Sequence, residues 1–210
     1  MACFVLNGWA AAETAWSLCK FNRDRVFSYR DHLDGVTSRA FDAASRVTLV
    51  GWSMGGTHAL ELALRSPEKV ASLVLVAATP RMMKDGTDWP GMTERRLAAL
   101  DYGLRLSARD TLLPVNPYIV DDETALSRGL DYLRQTDLRA RLAASGEALS
   151  KIPVAIFQSE KDAVVRRPHA DFLASVFASS RLTIIPGAEH ALPVTIPSLI
   201  DREVERLMQH

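Results

Sequence analysis

The run Gly51-Trp52-Ser53-Met54-Gly55-Gly56 constrains this chain more than any other stretch. Before it stands Val47-Thr48-Leu49-Val50, a short, largely apolar and partly β-branched run that reads as a buried strand. After it, residues 57–65 are rich in good helix formers and end at Ser66-Pro67. A strand that turns at once into a helix strains its corner residue, here Ser53. Gly51 and Gly55 lack Cβ, so neighbouring backbone can approach that corner closely. The serine hydroxyl is then held up off the sheet. The main-chain N–H of Met54 lies at a helix N-terminus, where donors are unpaired and the dipole favours negative charge. Strand, Gly-x-Ser-x-Gly, helix is the setting of an activated serine beside an oxyanion site.

The same architecture extends along the chain. Residues 2–6, 25–30, 70–77, 152–157 and 181–185 read as further strands. Residues 10–19, 37–44, 167–177 and 196–208 read as helices, and 31–35 as a loop. Strands and helices alternating at short spacing imply parallel βαβ units and a sheet covered on both faces. The rhythm breaks from 79 to 150. There Leu97, Leu100 and Leu104, and later Leu126, Leu130 and Leu133, recur at helical spacings, with Pro114 and Pro117 interrupting the middle. The expected organisation is a core in two parts, 1–78 and 151–210, with a helical lid inserted as 79–150. The lid leaves from the strand edge that carries Ser53.

A serine hydroxyl needs a base, and the base needs an orienting acid. Both are expected on loops at strand carboxyl ends. His190 follows the last strand in Pro186-Gly187-Ala188-Glu189-His190. His32 also stands at a strand end. His58 lies inside the helix after Ser53, His169 opens another helix, and His210 is terminal. Asp162 is the leading acid, in the loop after 152–157; Glu160 is its rival there, with Asp85 and Asp88 weaker ones. The order Ser53, Asp162, His190 fits this kind of site. A second oxyanion donor is expected from the loop after the first strand, where Trp9 follows Asn7-Gly8. Trp9 and Trp52 are expected to line the substrate pocket.

The formal charge is balanced, with Lys+Arg 25 against Asp+Glu 25, so nothing global points to nucleic acid or an anionic membrane as partner. No run of about 18 apolar residues is present. Cys3 and Cys19 belong to no Cys-x-x-Cys or Cys/His cluster, so neither a zinc site nor a disulfide framework is expected. A cytoplasmic, soluble protein is the expectation, needing neither metal nor cofactor.

With these residues in hand the chain resembles the α/β-hydrolases. More particularly, it is similar to the pimeloyl-[acyl-carrier protein] methyl ester esterases of biotin synthesis. The resemblance runs through Gly51–Gly56, Asp88-Trp89-Pro90-Gly91, the run Gly129-Leu130-Asp131-Tyr132-Leu133-Arg134-Gln135-Thr136-Asp137-Leu138-Arg139, and 186–193. It implies an α/β-hydrolase fold with a mostly parallel sheet and a helical lid. It also implies Ser53, Asp162 and His190 as catalytic triad, Trp9 and Met54 as oxyanion donors, and an acyl ester substrate carried on acyl-carrier protein. Alternatives are a broad short-chain carboxylesterase or thioesterase, or a non-catalytic binding protein on the same fold. This sequence has Asn7-Gly8 where His-Gly is usual, and it lacks the N-terminal hairpin of relatives. Residues 25–30 are therefore expected at an open sheet edge, a setting that favours a homodimer. Between Glu94 and Glu147 stand eight arginines, no lysine and nine acidic residues, which suits either carrier docking or a salt-bridged helical surface.

Overall fold

The computed structural model describes residues 2–113 and 123–209. The interruption at Pro114 and Pro117, and His210, lie outside the described residues. Among the described residues one parallel sheet forms from β1 (Ala2–Leu6), β2 (Arg25–Phe27), β3 (Val47–Trp52), β4 (Val70–Val76), β5 (Val154–Ser159) and β6 (Ser180–Ile185). Its order is β2-β1-β3-β4-β5-β6. The helices are α1 (Tyr29–Leu33), α2 (Val36–Ala43), α3 (Met54–Arg65), α4 (Glu94–Leu112), α5 (Glu123–Gln135), α6 (Arg139–Ala144), α7 (Gly146–Leu149), α8 (Arg167–Val176), α9 (Leu192–Thr195) and α10 (Pro197–Met208). None of them is long and apolar enough to cross a membrane.

Every residue of β3, β4 and β5 is buried, which is why these strands read as continuous apolar runs rather than alternating ones. Within each strand the pleat still sends neighbours to opposite faces. Phe4, Leu6, Leu49, Leu73, Leu75 and Ile156 pack with Phe41 of α2, Leu60 of α3 and Leu173 of α8. Cys3, Val5, Val50, Val74, Val76 and Phe157 pack on the other side with Trp16 and with Ile200, Val204 and Leu207 of α10. Burial pushes both thiols, Cys3 and Cys19, up to about 12, so they behave as small apolar groups. A third cluster joins Met54 of α3 to Leu97, Leu104, Leu126, Leu130 and Leu133, so the periodic leucines of α4 and α5 face the sheet edge that carries Ser53.

The sheet order places the site. From β1 the chain steps outward to β2, then returns across β1 to β3 and continues the other way. The loops leaving the adjacent carboxyl ends of β1 and β3 therefore diverge and leave a crevice between them.

Two local expectations fail. The Ala-rich run 10–19 forms only one 3-10 turn, Glu13–Trp16. The segment opens with Ala10 at φ 59°, and the Asn7 side-chain amide donates to Ala11 O at 2.9 Å. Burial of Trp16, Cys19 and Phe21 then outweighs alanine's helix propensity. The second strand stops at Phe27 because Ser28 caps α1. Its hydroxyl accepts from the Asp31 N–H at 3.3 Å, and the Asp31 carboxylate accepts from the Ser28 N–H at 2.8 Å. This reciprocal box makes a helix of 29–33, where a strand end and a loop were expected. β2 lies at one end of the sheet.

The chain segment between β4 and β5 is fastened at its base by two of the runs that carry the resemblance, 88–91 and 129–139. The Arg139 guanidinium lies 4.8 Å from the Trp89 ring centroid and pairs with Asp137 at 2.9 Å and with Asp85. Asp137 also holds Arg81, and Leu138 N–H donates to Pro80 O at 2.9 Å. Trp89 donates through Nε1 to Arg81 O and sets its ring edge-on to His169 and Phe172 of α8. The two runs are thus one structural joint.

His169 makes that joint acid-sensitive. Burial pushes its imidazole down to about 4; the Pro90 main chain acts against this, Arg166 with it and Asp162 against it. Between pH 6.5 and about 4 the unfolded chain therefore binds the extra proton, and stability falls as pH falls. Going from pH 7 to pH 5 should cost about 2 kcal/mol through this residue. His32, also lowered by burial, adds to the loss. Urea unfolding at the two pH values should show a smaller loss in His169→Gln than in the unsubstituted chain. Equal losses would rule the assignment out.

Candidate active site

Ser53 sits between β3 and α3 with φ 55° and ψ −122°, a backbone conformation that L residues adopt only when their surroundings impose it. Its N–H donates to Val76 O at 2.9 Å, and its carbonyl accepts from Gly56 and Thr57 N–H. The glycines around it are required by space. A Cβ on Gly51 would stand 2.6 Å from Gly55 O, and one on Gly56 would stand 2.4 Å from the Ala78 Cβ. The tight corner leaves Oγ facing the crevice.

There it meets His190. Nε2 of His190 lies 3.0 Å from Ser53 Oγ, and its Nδ1 lies 2.8 Å from Asp162 Oδ2. The Asp162 side chain is fully buried and that of His190 is 11% exposed. The buried carboxylate is fully engaged: Oδ1 accepts from the N–H groups of Val164 and Val165, each at 2.8 Å. A carboxylate at Nδ1 holds that nitrogen protonated, which turns Nε2 into an acceptor aimed at the serine. Trp52 Nε1 donates to His190 O at 3.1 Å and steadies the loop.

The other side of the crevice is built from the loop after β1. Gly8 approaches so closely that a Cβ there would lie 3.3 Å from the Ser53 Cβ. Met54 opens α3, so its N–H has no acceptor within the helix. Among the described residues the N–H of Trp9 likewise finds no backbone acceptor. The Trp9 ring is clamped under α5: Nε1 donates to Leu126 O at 3.0 Å, and a Cβ on Gly129 would fall 2.2 Å from the ring. Over Ser53 and His190 opens a cavity of about 380 Å³. Trp9, Trp52, Met82, Leu97, Leu130 and Leu133 help line it, so its wall is mostly apolar. A hydroxyl activated by an imidazole, unpaired N–H groups beside it and an apolar cleft can together support acyl transfer.

A family model described as the alpha/beta hydrolase family matches residues 11–198. The chain belongs to that family. Among its relatives are pimeloyl-[acyl-carrier protein] methyl ester esterases. That of Nitrosomonas europaea is 29% identical over 194 residues, covering 80% of this chain and 73% of the relative. That of Pectobacterium carotovorum is 29% identical over 239 residues, covering 95% and 91%. Among solved structures, a hydrolase from Oleispira antarctica superposes with a TM-score of 0.78 at 17% identity, covering 100% of this chain and 91% of its own. The enol-lactonase from Burkholderia xenovorans LB400 does so with 0.76 at 13% identity, covering 99% and 91%. At those identities the two structures show the shared fold.

In this alpha/beta hydrolase the rival residues are occupied elsewhere. Glu160 accepts from the Gly187 N–H at 2.8 Å and shapes the turn ahead of His190. Asp85 pairs with Arg139, and Asp88 lies exposed. His32 contacts Thr37 Oγ1 and Asn7 O and stacks on His58, which meets Glu61 at 3.1 Å. His169 meets Thr79. Asn7 is more important than its sequence position suggested. It is fully buried, and its Oδ1 accepts from the Gly8 N–H at 3.0 Å and from Trp16 Nε1 at 3.2 Å. The amide therefore folds the loop that carries Gly8 and Trp9. The sequence signal was an Asn opening a turn at a strand end.

Proposed function

We propose that the protein is a serine carboxyl ester hydrolase in which Ser53, His190 and Asp162 form the catalytic triad. The observation that supports this most directly is the unbroken hydrogen-bonded series from Ser53 Oγ through His190 to the buried Asp162. Ser53 Oγ attacks the ester carbonyl while its proton passes to His190 Nε2. The N–H groups of Trp9 and Met54 receive the oxyanion, each contributing about 3 kcal/mol to the barrier reduction. His190 then protonates the departing alkoxide, and the alcohol leaves. Water, deprotonated by the same nitrogen, cleaves the acyl-enzyme and restores Ser53. Asp162 keeps the imidazole oriented and stabilises its charged form. The segment 79–150 serves as a lid whose apolar face covers the acyl chain.

The substrate we propose is the methyl ester of a pimeloyl group on acyl-carrier protein. It is supported by the names of the relatives at 29% identity and by the sequence runs shared with that family. Turnover of the carrier-bound methyl ester should exceed that of free monomethyl pimelate at equal concentration. A large preference for the free ester would leave a broad carboxylesterase in its place.

A further inference from the structure

Eight arginines stand between Glu94 and Glu147. Four are tied to carboxylates: Arg105 to Asp101, Arg128 to Asp34, Arg134 to Glu94 and Arg139 to Asp137. Of the other four, Arg96 is the one that lines the cavity over Ser53. It comes from the first turn of α4, whose start is set by Thr93 Oγ1 accepting from the Arg96 N–H at 3.2 Å. Among the described residues its guanidinium has no ion-pair partner. Apart from Ser53, His190 and Thr111, the rest of the lining is apolar side chain or main chain. Thr111 comes from the same helix. α4 breaks at Ser107 and folds back, leaving Gly103 so close to Thr111 that a Cβ would meet its Oγ1 at 2.8 Å.

An exposed cation that lines an otherwise apolar cavity, with no ion-pair partner among the described residues, is complemented by an anionic group on the ligand. The guanidinium fork matches a carboxylate in particular. We propose that Arg96 binds a carboxylate at the far end of the acyl chain, so that the enzyme also hydrolyses free half-esters of dicarboxylic acids without any carrier. The inference rests on Ser53 acting as an ester hydrolase and adds a second substrate class to that reading. The chemistry balances as for any ester. Ser53 Oγ displaces the alcohol, which leaves with the proton held by His190. Water then releases the dicarboxylate.

The test compares monomethyl pimelate with methyl heptanoate, which has the same chain length and no far charge. The unsubstituted enzyme should favour the half-ester. Arg96→Gln should lower its kcat/KM about five- to tenfold, mostly through KM, because an exposed guanidinium contributes less than a buried one. Methyl heptanoate should change less than about twofold, and Arg96→Lys should restore part of the preference. An equal loss on both esters, or none on the half-ester, overturns the proposal. Calorimetry of monomethyl pimelate with Ser53→Ala, alone and combined with Arg96→Gln, reads the same contact without turnover. An unchanged Kd counts against it. Binding that depends on Arg96 in a chain with no turnover of either ester would remove the esterase reading alone. Turnover indifferent to Arg96 would remove this inference alone.

Discussion

Ser53→Ala should lower ester turnover on the order of a million-fold, to what the proposed oxyanion donors and the cavity supply without a nucleophile. Short p-nitrophenyl esters measure the loss. A fluorophosphonate probe should label the unsubstituted chain once, at Ser53, and leave the variant unlabelled. The variant should fold normally, because the described contact of Ser53 Oγ is with His190 Nε2 and no main-chain group depends on the hydroxyl. Its urea midpoint is expected within the range of an ordinary mild substitution, about 1 kcal/mol or less. Full turnover in the variant would remove Ser53, and with it the triad, from the mechanism.

Gly55→Ala should destabilise the protein by about 3 kcal/mol or more, beyond the usual cost of one added methyl group. The new Cβ would fall 2.1 Å from Leu6 O and 2.7 Å from Asn7 O. Both are main-chain oxygens at the end of β1, and that end is held in the sheet by the Asn7 N–H donating to Phe27 O at 2.9 Å. No rotamer change relieves such a contact. Either α3 lifts, carrying the Met54 N–H with it, or β1 shifts and moves Gly8 and Trp9. Activity should therefore fall together with stability. Gly146→Ala is the control: a Cβ there meets nothing within 4 Å, and its unfolding midpoint should barely move. Similar urea midpoints for the two variants would show that the corner is looser than its geometry implies.

Much of this was legible because it is encoded locally. Val47–Trp52 is all apolar or β-branched up to Gly51, and a Gly-x-Ser-x-Gly run leading into helix formers has few other foldings. The same holds for the leucines of α4 and α5, whose spacing shows which face they bury. The run 10–19 departs from its helical pattern because alanine propensity is weak beside the burial of Trp16 and Phe21. The helix 29–33 is signalled in the sequence by Ser28 and Asp31 at capping-box spacing, but a strand pattern runs directly into it and hides its start.

The chain alone determined the βαβ rhythm, the corner at Ser53 and a short set of acids and bases able to serve it. Only packing shows which of them come within hydrogen-bond reach of Ser53 and of each other. Asp162 and Glu160 lie two residues apart in one loop, yet one carboxylate is turned inward by the N–H groups of Val164 and Val165 while the other is turned to Gly187. Periodicity and propensity are properties of neighbours in sequence. Which side chain faces His190, and which arginine reaches the cavity, depends on contacts between residues far apart in the chain.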